Sequence, residues 1–487
     1  PLVSAEEMSR CIHCTRCVRF GQEVAGIMEL GMVGRGEHSE ITTFVGRSVD
    51  SELSGNMIDL CPVGALTSKP FRYQARTWEL ARRRSVSPHD SMGANLVVQV
   101  KGDEVIRVVP FENDALNECW ISDRDRFSYE GLNEDRLTVP MIKGENGQWQ
   151  EATWSDALQV VAHGLMDVRD ASGGAQIGAL ASEYSTLEEL ALLGRVTRGL
   201  GSENIDFRLR QTDASLDAAL TGAPWLGFPV AELDTLDRVL VVGSFLRKDH
   251  PLMTQRLRQA AKRGTQISSI DIAGDDPLLK LTARATVLPD ALAQTVAQVA
   301  VALSKLKAQD VPAVLSAVEP DAVAQAIAQS LASGERVAIL LGNAAVNAPT
   351  ATTIAANAQL IAELTGAKLG FLTSGANTVG GYLAGAVPVK GGKGAAAMLS
   401  QPLKAYMVLH AEPNLDADNG AQALATLQAA EFVVALTPFA SGAREWANVM
   451  LPIAPFTETS GTFVNAQGTA QSFKGTATPR GQSRPAW

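Results

Sequence analysis

Cysteine is scarce in this chain: five residues in 487. That is too few for the disulphide framework of a small secreted domain, and in a chain this long clustered cysteines point to metal or redox chemistry instead. No stretch approaches the roughly 18 consecutive apolar residues of a membrane-spanning helix. Positive charge is in deficit, with 42 Lys and Arg against 52 Asp and Glu and a net charge of −10. The chain as a whole is therefore not built to hold a nucleic-acid backbone. The opening Pro1-Leu2-Val3-Ser4-Ala5-Glu6-Glu7 has neither the basic nor the apolar region of a secretory signal. It also lacks an initiator methionine, so a fragment or a processed chain is expected. Neither a G-x-G-x-x-G nor a P-loop follows any predicted strand. What is present forms cores: 46% of residues are apolar and 19% charged, which fits a folded chain of roughly three domains of about 150 residues each.

Four of the five cysteines fall into one pattern. Cys11, Cys14 and Cys17 stand at C-x2-C-x2-C spacing, and Cys61 follows later with Pro62 directly after it. A compact loop that brings three thiolates to one side of a cube, with a distant Cys-Pro for the fourth corner, matches the ligand set of a 4Fe-4S cluster. Zinc is the alternative for soft thiolates, but its structural sites use paired C-x2-C units or cysteine and histidine pairs. No second cysteine triple exists, so all four are assigned to one cluster. His13 reads as a polar loop residue, with hydrogen-bond donor or spare ligand as the other roles open to it. Arg16 and Arg19 either raise the potential of a negatively charged cluster or pair with Glu23 and Glu29.

Taken in order, Ser4 and Glu7 suggest a capping box, and Val18 to about Glu29 a helix burying Phe20, Val24 and Ile27, weakened by Gly26. Ile41–Val45 reads as a short strand, and 53–60 as a turn and short helix entering Cys61. Leu96–Val100 and Val105–Val109 form a hairpin about Lys101-Gly102-Asp103-Glu104. From Trp154 the pattern becomes α/β. A helix is predicted over 155–170, a strand over 175–181 and a helix from Thr186. A buried parallel strand follows at Val239–Val242, then a helix from Pro251 to Arg263-Gly264 and a strand at Ile267–Asp271. Further strands are expected at Val337–Leu341, Ala405–His410 and Phe432–Leu436, with a helix over 350–365. Residues 290–335 read as almost wholly helical. Cys119, beside Trp120, reads as a small buried hydrophobe, and Arg82-Arg83-Arg84 as a solvated face or a docking patch.

The run Met8-Ser9-Arg10-Cys11-Ile12-His13-Cys14-Thr15-Arg16-Cys17-Val18-Arg19-Phe20, with Gly55-Asn56 and Asp59-Leu60-Cys61-Pro62-Val63-Gly64-Ala65-Leu66-Thr67, closely resembles the large iron–sulphur subunit family of NADH–quinone oxidoreductase, respiratory complex I. The resemblance runs through almost the whole chain. It implies that Cys11, Cys14, Cys17 and Cys61 bind a 4Fe-4S cluster that relays electrons from the flavin side toward quinone. It also implies an upstream 2Fe-2S domain and a second 4Fe-4S cluster lying outside this chain, so truncation at both ends is expected. The partners implied are the flavoprotein and quinone-side subunits of the peripheral arm, with no nucleic acid and no direct membrane span. The expected place is the cytoplasmic face of a bacterial inner membrane, or the matrix side if mitochondrial.

Residues 72–140 resemble the iron–sulphur entry domain of molybdopterin oxidoreductases, where cysteines occupy the places held here by Ser87, Asp90, Ala94 and Ser122. No cluster is expected there. The fold class expected is α/β, in three parts: a ferredoxin-like 4Fe-4S module over 1–71, a β-rich domain over 72–150, and molybdopterin-oxidoreductase-like doubly wound parallel α/β domains over 151–487. Gly375-Ala376-Asn377-Thr378-Val379-Gly380-Gly381 resembles the loops that hold the pterin dinucleotide in such enzymes. No molybdenum ligand can be named, and no molybdopterin is expected. The chain is thus expected to carry electrons rather than a catalytic site, as a subunit of an NADH dehydrogenase. The competing reading is a molybdopterin-dependent, formate-dehydrogenase-like oxidoreductase.

Overall fold

The computed structural model describes residues 2–45, 47–389 and 391–487. They group into two compact units, each built from two stretches of chain: residues 1–129 with 224–374, and residues 130–223 with 375–487.

In the first unit, Val3–Ser4 pairs antiparallel with Thr67–Ser68, and Leu30–Val33 with Glu40–Thr43. Ser4 therefore lies in a strand, and its hydroxyl accepts a bond from Arg72 at 2.8 Å rather than capping a helix. Ala81–Val86, Asn95–Lys101 and Glu104–Pro110 make a three-stranded antiparallel sheet with a bulge near Gln99. The arginines of the first strand are exposed, and Arg84 stacks on the Phe111 ring at 4.3 Å.

The 224–374 stretch adds a five-stranded parallel sheet. Its order is Ala283–Thr286, Gln266–Asp271, Arg238–Val242, Val337–Leu341, Lys368–Phe371, so the chain winds outward in both directions from the central strand. Both faces of the inner strands are buried, which is why Val239–Val242 and Val337–Leu341 read as unbroken apolar runs. Residues 290–335 are less helical than expected. Helices Leu292–Leu306 and Ala322–Ala332 are separated by a stretch without α-helix that holds a 3-10 turn at Ala313–Leu315 and contains Asp310, Pro312 and Pro320. Proline lacks the N–H that a helix interior needs.

The second unit holds a seven-stranded sheet, ordered Ile205–Asp206, Ile177–Ala181, Ala405–Leu409, Phe432–Thr437, Val449–Pro452, Met141–Lys143, Trp149–Glu151. The first five strands are parallel and the last two antiparallel. Alternation splits each strand between two cores. Ile177, Ala179, Ala181, Ala405, Met407, Leu409 and Val434 enter one; Leu180, Tyr406, Val408, Val433 and Ala435 enter the other. The helix expected from Thr186 runs over Leu187–Gly199 and starts with a reciprocal capping box between Thr186 and Glu189.

Candidate iron–sulphur site

Cys11 follows a short 3-10 turn, Met8–Arg10, and the loop beyond it reverses hand twice. His13 and Thr15 both adopt left-handed backbone, with φ of 53° and 58°. A β-branched residue is an outlier there, costing about 1–3 kcal/mol, and such strain collects at functional sites. Alternation of hand is what turns backbone N–H groups inward in the nests found around anions and iron–sulphur groups. The His13 N–H already points at Cys11 Sγ, at 3.4 Å. The His13 side chain is exposed, as befits a polar loop residue. Cys11 is half-buried, Cys14 exposed and Cys17 buried. Burial pushes the Cys17 thiol up; the Val18 N–H opposes this, and the neighbouring Cys11 and Cys14 add to it.

Cys17 lies in the helix Arg16–Phe20, which widens into a π turn over Gly21–Ala25 and stops at Gly26 with φ 81°. The expected run to Glu29 is cut short because the Arg258 guanidinium lies 2.2 Å from where a Gly26 Cβ would be. Arg258 donates to the Val24 carbonyl, while Gln259 and Lys262 donate to that of Glu23 at 2.6 and 2.7 Å. The helix Pro251–Lys262 thus satisfies end carbonyls that the Cys17 helix leaves free. Phe20 is buried against Trp120, ring centres 5.1 Å apart. Arg19 pairs with Glu23 at 3.1 Å, whereas Glu29 accepts the backbone N–H groups of Asp50 and Ser51.

Cys61 ends the helix Asn56–Leu60. Its Sγ accepts the N–H groups of Ala65 at 3.2 Å and Leu66 at 3.4 Å, after Gly64 turns the chain with φ 63°. Hydrogen bonds of this kind stabilise charge on sulphur and enter the potential of any cluster so ligated. Residues far along the chain hold this helix in place, and sequence reading missed them. The Asp123 carboxylate accepts from the Ser54 hydroxyl at 2.5 Å and the Gly55 N–H at 2.8 Å. Asn56, fully buried, exchanges bonds with both the N–H and the carbonyl of Ile121. Arg126 reaches Asp59. The visible signal was Ser122-Asp123-Arg124-Asp125, an N-cap pattern, and Ser122 does cap the helix Asp123–Phe127.

Among the described residues, no three His, Cys, Asp or Glu side chains stand close enough to chelate one metal ion.

The second segment looks different. Ser87, Asp90, Ala94 and Ser122 are all at most 1% exposed. Ser87 and Ser122 both donate to the Asp125 carboxylate, at 2.5 and 3.0 Å. Asp90 accepts the Met92 N–H at 2.9 Å. Cys119 is exposed, not buried: Asn117 and Trp120 take the inward positions of its turn. Its thiol is nonetheless pushed up by partial burial and by Glu118.

In the glycine loop after Ser374, a Cβ on Gly375 would lie 2.3 Å from Glu183 Cγ, and one on Gly381 2.5 Å from the Phe207 ring. Protein side chains fill the space these glycines leave. Asn377 is tied to the Ser185 carbonyl and the Val464 N–H, both at 2.8 Å. In the five-stranded sheet, a small cleft lies at the carboxyl edge, beside Ser244, Asp271 and Pro277. Its cations are already paired: Arg247 and Lys248 with Glu52, Arg284 with Asp271.

Comparison with known proteins matches residues 136–487 to the molybdopterin oxidoreductase family. The chain belongs to that family. Two further segments of this molybdopterin-oxidoreductase-family chain match other models. Residues 1–67 match the ferredoxin-like domain of NADH-quinone oxidoreductase subunit 3, and residues 80–130 the NDSU1/NuoG-like 4Fe-4S domain of NADH-ubiquinone oxidoreductase. Among relatives, the G-type subunit of NADH-quinone oxidoreductase from Rickettsia felis is 40% identical over 54% of this chain and 38% of its own length. The mitochondrial 78 kDa subunit of NADH-ubiquinone oxidoreductase from Candida albicans is 32% identical over 100% of this chain and 62% of its own. Each match thus spans less than two thirds of the relative. Acetylene hydratase from Pelobacter acetylenicus superposes with a TM-score of 0.64 at 16% identity, covering 83% of this chain and 67% of that one; this shows a shared fold. No helix among the described residues is long and apolar enough to cross a membrane.

Proposed function

We propose that this molybdopterin-oxidoreductase-family chain is an electron-carrying part of an NADH-quinone oxidoreductase, and that Cys11, Cys14, Cys17 and Cys61 hold one 4Fe-4S cluster. The observation that carries the reading is the loop geometry at Cys11–Cys17. A left-handed His13 and Thr15 shape the loop that carries three thiols at C-x2-C-x2-C spacing, with the His13 N–H at Cys11 Sγ, and a fourth thiol, Cys61, already receives two backbone N–H groups. Thiolates are the donor set such clusters take. When bound, the cluster supplies one-electron transfer. The chain's own residues ligate it, donate hydrogen bonds to its sulphurs and exclude water on the Cys17 side.

The segment holding Ser87, Asp90, Ala94 and Ser122 carries no cluster in this reading, since alanine cannot ligate iron and the two serines are engaged with Asp125. The α/β body is a scaffold without molybdopterin in this reading, since no molybdenum ligand can be named in it. Its partners are the flavoprotein and quinone-side subunits, on the cytoplasmic or matrix face of the membrane, with NADH oxidised in a partner.

Anaerobic reconstitution with iron and sulphide tests this. About four irons per chain are expected, with an EPR signal on reduction and no molybdenum. Cys61→Ser should abolish or change that signal. Zinc in place of iron, or stoichiometric molybdenum in native protein, would overturn the reading.

A further inference from the structure

We propose that Asp123 is a positioning residue for the Cys61 thiolate, and that the buried Ser87–Asp125–Ser122 group anchors it. The inference rests on Cys61 being a cluster ligand. It gives the segment in which Ser87, Asp90, Ala94 and Ser122 stand at the cysteine places a use of its own: fixing a ligand of the other site.

The path is continuous in hydrogen bonds. Ser87 Oγ donates to one oxygen of Asp125 at 2.5 Å, and Ser122 Oγ to the other at 3.0 Å. Ser122 Oγ also accepts the Asp125 N–H at 3.2 Å, which starts the helix Asp123–Phe127. That helix and the residue before its cap turn three groups toward the one that ends in Cys61. Asp123 caps the latter's N-terminus through Gly55 N–H and Ser54 Oγ, a carboxylate placed where a helix dipole favours it. The helix has no capping side chain of its own. Arg126, 5% exposed at its side chain, pairs with Asp59. Ile121 exchanges two backbone bonds with the Asn56 amide, at 2.8 and 3.2 Å.

The fit between the helices leaves no slack. A Cβ on Gly55 would lie 2.4 Å from Arg126 Cδ and 2.9 Å from Asp123 Oδ1. Only Leu60 separates Asp59 from Cys61, so a shift of the clamp moves the sulphur. Four cysteines around a cluster would cross-link this segment covalently. Here a carboxylate flanked by two serine hydroxyls does the same mechanical task by hydrogen bonds, in a place at most 2% exposed, where such bonds are costly to leave unmade.

The test uses the full chain reconstituted with iron and sulphide, as wild type, Asp123→Asn, Ser87→Ala and the double variant. Three quantities are read: the EPR line shape of the reduced cluster, its midpoint potential, and the rate of iron loss to a ferrous chelator. Asp123→Asn should change the line shape and speed iron loss about tenfold, the scale of one hydrogen bond to a charged group. Ser87→Ala should change the line shape in the same direction, and the double variant should go little beyond Asp123→Asn because both act through one helix.

Ser87→Ala is decisive, because it removes no charge and its hydroxyl bonds Asp125, not sulphur. Should Asp123→Asn fail to fold, Ser54→Ala removes one of the two capping bonds and takes its place. Wild-type line shape, potential and iron retention in Ser87→Ala and Ser54→Ala overturn the clamp and leave the cluster standing. A wild type that takes up no iron overturns both.

Discussion

Arg136 and Glu458 meet in a two-pronged ion pair, at 2.7 and 2.8 Å, with side chains only 4% and 5% exposed. The pair joins residues 322 apart in the chain and bonds the Leu132 and Arg480 backbones as well. Taking two charges out of water is expensive, and removing one partner leaves the other unpaired. Glu458→Gln should therefore lower the stability of the second unit by about 3–5 kcal/mol. Replacing both, as Arg136→Met with Glu458→Leu, should cost far less. Urea unfolding followed by fluorescence checks this; a single variant no worse than the double would refute it.

Stability between pH 4 and 7 should carry the mark of a buried carboxyl. Asp90 is pushed up to about 6, by burial first and by Asp125 next, against Arg124 and the Met92 N–H. Its folded form binds a proton that the unfolded chain, titrating near 3.8, has released. Its contribution is full below pH 4 and is lost as pH rises through 6. His89 and His250 have the opposite sign. Burial and Arg124 hold them down to about 4 and about 3, so their contribution is full above 6.5 and falls as acid charges the unfolded chain. Asp90→Asn cancels only the first effect. It should gain on wild type by on the order of 2–3 kcal/mol between pH 4 and 7.5. Urea midpoints at the two pH values measure it, and a constant difference would sink it.

How much of this was legible in the sequence depended on distance along the chain. Val239–Val242 and Ala405–Leu409 were readable as strands because burial on both faces leaves an unbroken apolar run. The helix after Thr186 was readable because its start, the capping box with Glu189, is complete within four residues. The cysteine spacing likewise contained its own loop. What escaped was set by remote partners. Gly26 ends the Cys17 helix under Arg258, and Ser4 and Glu7 turn from a cap to Arg72. Met141–Lys143 and its hairpin partner Trp149–Glu151 join the parallel strands through Val449–Pro452, far along the chain. Asp123 could be seen as part of a capped helix, but nothing local shows that it faces Ser54.

Thr15 offers a local test of loop strain. Its φ of 58° places a β-branched side chain in left-handed backbone, and its hydroxyl reaches only the adjacent Cys14 carbonyl, at 2.8 Å. Glycine adopts that backbone freely, so Thr15→Gly should relieve about 1 kcal/mol in the folded chain. Part of this is offset by greater unfolded-chain entropy. The expected result is a small rise in thermal midpoint and no loss of iron on reconstitution. A lower midpoint would mean that the hydroxyl, not the turn, matters there.

The fifth cysteine separates spacing from mere presence of sulphur. Cys119 is exposed, yet partial burial and Glu118 raise its thiol, so little thiolate forms near neutrality to attack or to ligate. Cys61 differs in having two N–H groups aimed at its sulphur, at 3.2 and 3.4 Å, and in standing at the distant Cys-Pro position of the cluster pattern. Cys119→Ser should therefore reconstitute with the full iron content and an unchanged EPR signal, while Cys61→Ser should not.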